Sequence, residues 1–157
     1  MVDKLQGFGI DEVVIITGYE SSFFENLKID GVTLISSDKY KWTGTMYSLA
    51  LAKDLIHSDF LLIEGDIIFE ERALEHILKC PERNSLLIVN ESGSGDEALV
   101  ELRDNIVFRI SKDFHQLARI DGEFIGLSKI SYNTYKAMLT DKLVIGKIST
   151  RVGIINE

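Results

Sequence analysis

"GVTLISSDKYKWTGTMYSLALAKDLIHSDFLLIEGD", residues 31–66, decides the fold. It opens with an apolar, β-branched run at 31–37 that reads as a buried strand. A hydroxyl-rich turn follows, and then a helical pattern from Met46 to Ile56 carried by Met46, Leu49, Ala50 and Leu55, with Thr43 and Thr45 as candidate caps. A second apolar run, 59–65, reads as another strand and leads into Asp66. Upstream, "EVVIIT" (12–17) is a further buried strand bounded by Gly9 and Gly18. Downstream, Glu71 to Lys79 form a helix with Leu74, Ile77 and Leu78 at i, i+3 and i+4, while Glu71, Arg72 and Glu75 face water. Alternating strands and helices predict an α/β domain of three layers, αβα, with a mainly parallel mixed sheet.

The second half changes texture. After the strand "SLLIVN" (85–90), "ESGSGDE" is a Gly/Ser loop able to move over a ligand. "ALVELRDNIVFRI" alternates as a hairpin, with Ala98, Val100 and Leu102 on one face and Ile106, Phe108 and Ile110 sharing a face of the returning strand. Asp104-Asn105 supplies its two-residue turn. "GEFIGLSKIS" (122–131) is a strand interrupted by Gly126, where a bulge or a close backbone approach is the usual reason. Residues 132–140 fit a helix. No repeat, low-complexity tract or linker divides the chain, so residues 1–157 read as one domain.

Composition narrows the function. With 157 residues, 45% hydrophobic and 27% charged, the chain reads as an ordinary globular protein with a sizeable core. A formal charge of −8 and the absence of a basic cluster argue against a nucleic-acid binder, so a polyanionic ligand must be met locally or through a metal ion. Cys80 is the sole cysteine, which excludes an internal disulfide and a cysteine zinc site and fits a reducing cytoplasm. No signal-peptide core and no apolar stretch of roughly 20 residues is present, so a soluble, cytoplasmic protein without a membrane partner is expected.

Two stretches carry chemical signals. In open α/β sheets ligands collect beyond the carboxyl ends of strands, and Asp66 sits just past such an end, after the small Gly65. A carboxylate there can hold Mg²⁺, which takes one or two protein carboxylates and fills its sphere with phosphate and water; equally, Glu64 and Asp66 can be loop acids, Asp66 capping a turn. The turn 39–53 presents Thr43, Gly44, Thr45 and Ser48 to a base or ribose, or serves simply to cap its helix. Lys112, after an apolar strand, can reach an anion or stay solvated. Phe23, Phe24, Trp42 and Tyr47 can stack on a base, core packing being the default for most of them. His57, His76 and His115 have no spacing for a shared metal.

Taken together, "GIDEVVIITGY" (9–19), "SSDKYKWTGTMYSLALAKDL" (36–55), "FLLIEGDIIFE" (60–70) and "DGEFIGLSKIS" (121–131) resemble the nucleotidyltransferase superfamily, within it the choline-phosphate and 2-aminoethylphosphonate cytidylyltransferase group. The resemblance implies a nucleotide-diphospho-sugar transferase-like fold, here truncated. It places Asp66 on the metal-binding aspartate for Mg²⁺ and the pair Asp66 and Lys112 on the catalytic positions. It places Thr43, Gly44, Thr45, Ser48 and Gly65 along the nucleotide, and Glu123 to Gly126 along the acceptor pocket. The implied chemistry is in-line attack by a phosphate or phosphonate acceptor on the α-phosphorus of a nucleoside triphosphate, CTP foremost, which needs positioning and charge neutralisation rather than a covalent residue.

The chain departs from that pattern in three places. No GxGxR loop occurs, the only proline is Pro81 so that no upstream Pro-Lys exists, and no second metal-binding aspartate is recognisable after Ile145. Met1 falls in what reads as the helix after the phosphate loop, as in a fragment of a longer enzyme. The family's first strand lies inside its sheet, so an exposed sheet edge, covered by self-association, is expected here. Three readings follow: a cytidylyltransferase-type enzyme, a noncatalytic member that binds a nucleotide or a partner, and a glycosyltransferase of related architecture whose Asp-x-Asp is replaced by Glu64-Gly65-Asp66.

Overall fold

The computed structural model describes residues 1–140 and the backbone of the strand Arg151–Ile154. Contacts divide the chain into two compact units, Met1–His57 and Ser58–Glu157.

The first unit contains α1 (Val2–Gly7), β1 (Val13–Thr17), α2 (Ser21–Glu25), β2 (Val32–Ser36) and α3 (Thr45–Leu51). The β-branched runs extend because Val and Ile restrict χ1 and pack well on a pleated surface. β1 and β2 pair in parallel, from Val13 opposite Val32 to Thr17 opposite Ser36. The core is small: Leu5, Leu49 and Ala52 are its buried apolar residues. α3 ends earlier than the helical pattern suggests, and its N-cap is Gly44 rather than Thr43 or Thr45. The Thr43 hydroxyl is committed elsewhere, donating to Lys39 O at 2.8 Å.

The second unit contains β3 (Phe60–Ile63), α4 (Glu71–Lys79), β4 (Ser85–Val89), β5 (Leu99–Arg103), β6 (Ile106–Ser111), a 3₁₀ turn (Phe114–Gln116), β7 (Gly122–Ile130), α5 (Tyr132–Thr140) and β8 (Arg151–Ile154). Its sheet order is β3-β7-β4-β8-β6-β5, with β7 also touching β5. β3 and β4 both run antiparallel to β7, and β8 runs parallel to β4, so β3, β4, β5 and β8 share one direction while β6 and β7 oppose it. The sheet is thus mixed, and the two reversed strands are interleaved among the others. Among the described residues β1 and β2 are both end strands of the two-stranded sheet, and β3 is an end strand of the other.

Two ties fix the frame of this unit. Asp59, just before β3, accepts two hydrogen bonds from Arg83 at 2.8 Å each and one from Tyr132 N at 2.9 Å, joining the start of β3 to the start of α5. The Arg83 bonds, then the Tyr132 amide, lower its pKa to about 2. Tyr135 of α5 is buried and meets Phe60 edge-to-face at 5.3 Å. α4 buries Ala73, Leu74 and Ile77, but Leu78, expected on the same side, is 37% exposed. At i+4 from Leu74 it sits at the rim of the stripe, and the small Ala73 takes the inward place beside Leu74.

The hairpin turns at Asp104 and Asn105, both with positive φ (51° and 60°), as a two-residue type I′ connection requires. The shared face of Ile106, Phe108 and Ile110 points largely outward: Phe108 and Ile110 are exposed, while Val107 packs against the cluster of Leu86, Ile88, Val100 and Leu102. A register shift between Glu101 and Leu102 leaves Phe108 unpaired and sets Val107 opposite Leu102, so Val107 takes the inward place, while Ile110 stands opposite Val100. No described helix is long and apolar enough to cross a membrane.

Candidate functional site

In the second unit, register collects the expected residues along one end of the sheet. Val89 stands opposite Glu123, Glu123 opposite Leu99, and Leu99 opposite Ser111. Hence the loop after β4, the start of β5, the end of β6 and the first half of β7 are neighbours. Lys112 follows Ser111, Glu123 and Gly126 lie on β7, and Glu64, Gly65 and Asp66 leave β3 where Ile63 pairs with Leu127.

Asp66 is exposed on the turn after β3, and no neighbour stands within 4 Å of where a side chain at Gly65 would be. Lys112 Nζ donates to Asp96 Oδ1 at 2.6 Å. That bond raises its pKa above the usual lysine value, with the charges of Glu64 and Asp66 adding to it and burial opposing. Lys112 therefore carries a full positive charge at neutral pH, within electrostatic reach of both acids. Glu123 uses Oε2 to accept from Ser92 N at 2.8 Å. The Gly/Ser loop is accordingly tied at both ends to residues singled out from the sequence: Ser92 to Glu123 and Asp96 to Lys112. Glu97 closes it further by accepting from Gly95 N, which lowers its own pKa.

Thr43, Gly44, Thr45 and Ser48 belong to the first unit. There Tyr47 N and Ser48 N donate to Gly44 O, and no side chain caps α3. Trp42, the residue before this turn, is 86% exposed and Phe23 61%, so neither takes the core role that is the default for an aromatic. At the carboxyl end of β1, Gly18 is covered by Tyr40, whose Cβ and Cγ lie 2.6 Å from where a Cβ at 18 would be. A larger residue at 18 would require the Tyr40 side chain to shift.

Asp96 and Ser92 were not individually visible as site residues; the signal was only the Gly/Ser composition of their loop. Two further carboxylates escaped notice. Glu101 is buried and accepts from Ala118 N at 2.9 Å and from Arg103, the amide being the main cause of its lowered pKa. Asp121 accepts from Leu102 N at 2.8 Å and pairs with Arg119; burial works against its ionisation, but these partners hold its pKa down. A cleft of about 470 Å³ lined by Leu102, Asp104, Asn105, Arg119 and Asp121 opens beside it, at the hairpin rather than at the acid turn.

Among the described residues no three His, Cys, Asp or Glu side chains gather into a metal-holding group, and the three histidines are all exposed. Asp66 instead offers an exposed carboxylate, a donor that suits a hard cation drawing its remaining ligands from phosphate and water. The second aspartate sought after Ile145 falls where, at most, only backbone is described.

A likeness to solved enzymes accompanies this geometry. The chain superposes on the inositol-1-phosphate CTP transferase of T. maritima with a TM-score of 0.76 at 16% identity, covering 98% of this chain and 70% of that one. In sequence it is 32% identical over 102 residues to a choline-phosphate cytidylyltransferase of Haemophilus influenzae, which covers 64% of this chain and 42% of that protein. The chain is related to the nucleotidyltransferase superfamily. Its fold is the nucleotide-diphospho-sugar transferase fold of that superfamily. A second nucleotidyltransferase relative, the CMP-5'-(3-aminopropyl)phosphonate synthase of Streptomyces rubellomurinus, is 29% identical over 90 residues, 52% of this chain and 14% of that protein. The chain therefore spans less than half the length of these curated relatives. No family model matches the sequence.

Proposed function

We propose that this chain is one nucleotidyltransferase-like domain, both units included, that transfers a nucleoside monophosphate from a nucleoside triphosphate, CTP foremost, to a phosphorylated small-molecule acceptor such as phosphocholine, a phosphonate or a sugar phosphate. One observation carries the reading: a single sheet end in the second unit holds an exposed acid just past a strand, Asp66, together with a charged lysine electrostatically coupled to it. The relatives' names support cytidylyl transfer, and a single solved chain that covers 98% of this one supports the single domain.

Asp66 would hold Mg²⁺. A bound Mg²⁺ supplies charge neutralisation of the phosphates and a template for them. The chain's own residues orient and balance charge. Lys112 stabilises negative charge on the phosphoryl oxygens as the acceptor oxygen bonds to the α-phosphorus and the bond to pyrophosphate breaks, the electron pair leaving with pyrophosphate. Asp96 must release Lys112 for that contact, and Glu123 lies where an acceptor would enter. Thr43, Gly44, Thr45, Ser48 and Gly65 are assigned to the nucleotide, and Gly126 to the acceptor side. Self-association through an end strand is part of this reading, and sedimentation tests it.

The test is pyrophosphate release with CTP, Mg²⁺ and phosphocholine, 2-aminoethylphosphonate or a sugar phosphate. Release that needs acceptor and metal supports transfer. The sparse cationic charge at this sheet end favours one other reading, a noncatalytic nucleotide binder, which predicts Mg²⁺-dependent CTP binding in calorimetry with no pyrophosphate formed.

A further inference from the structure

No neighbour stands within 4 Å of where a Cβ at Gly65 would be and Asp66 is exposed, so the direction in which the acid turn leaves β3 is set by whatever fastens Glu64. That fastening is Gly126. Glu64 N donates to Gly126 O at 2.9 Å. The Glu64 side chain then lies across the glycine: a Cβ at 126 would stand 3.0 Å from Glu64 Cβ, 3.1 Å from Oε2 and 3.2 Å from Cγ. Gly126 also has φ +80°, in the left-handed region that a side chain disfavours. β7 is irregular at this point, since Leu86 pairs with Ser128 but Ile88 with Phe124, leaving 125–127 opposite the single residue Leu87. The bulge thus turns Gly126 toward β3 and gives Glu64 a seat that only a residue without a side chain leaves open.

We propose that Gly126 is a positioning residue for the acid turn: its bare Cα and left-handed backbone seat Glu64, and the seated Glu64 sets where Asp66 presents its carboxylate. The proposal rests on the assignment of Asp66 to the metal-bound nucleotide, and it moves Gly126 from an acceptor-pocket role to support of the metal side. Glu64 acts here by its shape and not by its charge.

The experiment measures CTP affinity by calorimetry, with Mg²⁺ and with EDTA, for the full chain and four variants, with circular dichroism confirming the fold. Asp66→Ala is the control for the underlying assignment. Gly126→Ala is expected to weaken Mg²⁺-dependent binding about 10-fold, as displacement of a ligating group by under an ångström does, and to leave binding in EDTA unchanged. Glu64→Ala is expected to match it, and Glu64→Gln, which keeps the shape, to behave like the parent. If Gly126→Ala does not fold, the Glu64 pair decides alone. A folded Gly126→Ala with undiminished Mg²⁺ dependence, or a Glu64→Gln as damaging as Glu64→Ala, overturns the positioning role while Asp66→Ala still shows its loss. If Asp66→Ala itself changes nothing, the assignment beneath the proposal falls, and the proposal with it.

Discussion

The turn after β2 and the turn after β3 are held in opposite ways. Around residues 39–48 the hydrogen bonds are local: Thr43 reaches back to Lys39, and Tyr47 and Ser48 reach back to Gly44. Around Glu64–Asp66 the ties run across the chain, from Glu64 to Gly126, Glu123 to Ser92 and Lys112 to Asp96. Packing follows the same division. The largest side chains below 2% exposure (Tyr135, Leu74, Ile77, Leu87, Ile88, Leu127 and Val100) all lie in the second unit. A turn held by itself can adapt to a ligand without disturbing the fold, whereas one held by distant strands reports on the whole sheet.

Four substitutions break or sharpen this contrast, beginning with the largest effect. Leu74→Ala empties a fully buried position and should cost about 3 kcal/mol, read in urea as a lower midpoint. A loss below about 1 kcal/mol would show that the second unit lacks the tight core described. Asp66→Ala should leave the urea midpoint unmoved and reduce Mg²⁺-dependent CTP affinity on the order of 100-fold, the scale of removing one charge-stabilising group. Equal affinity in calorimetry removes the acid turn from the site.

Asp59→Asn should cost about 1 kcal/mol after allowing for screening at a partly exposed pair. The sign follows from the lowered pKa of about 2. The carboxylate stabilises the fold above its unfolded pKa of about 4, and that contribution disappears as pH falls toward 2. The parent should therefore lose stability over this window by more than the variant does; parallel urea curves between pH 4 and 2 would refute the tie. Thr43→Ala removes only a local bond and should cost about 0.5 kcal/mol, with CTP affinity altered no more than about 3-fold. A loss as large as that of Asp66→Ala would make the first turn as strongly coupled as the second.

Much of the architecture was legible because it is periodic. "EVVIIT", "GVTLISS" and "DFLLIEG" contain β1, β2 and β3, and the helix expected at Glu71–Lys79 has those bounds. Asp104-Asn105 was readable because that turn demands residues tolerant of positive φ, and Gly126 because a glycine inside an apolar strand marks an irregularity. What escaped depends on register. The inward Val107 and the unpaired Phe108 follow from a shift at Glu101, which no pattern within one strand reveals. The partners of Lys112 and Glu123 are 16 and 31 residues away and became neighbours only through three strand pairings. The Gly44 cap reflects competition: two threonines flank it, and the Lys39 carbonyl takes the hydroxyl of one of them.

The segments at the acid end of the second sheet carry Glu64, Asp66, Glu91, Asp96, Glu97 and Glu123 against Lys112, in a chain of net charge −8. A free triphosphate diffusing toward this rim meets a repulsive field, which at low ionic strength extends over tens of ångströms and shrinks to about 10 Å in 0.1 M salt. Added sodium chloride should then speed the arrival of such an anion, the reverse of the usual effect on an enzyme with a basic cleft, and magnesium complexation of the nucleotide should flatten the dependence.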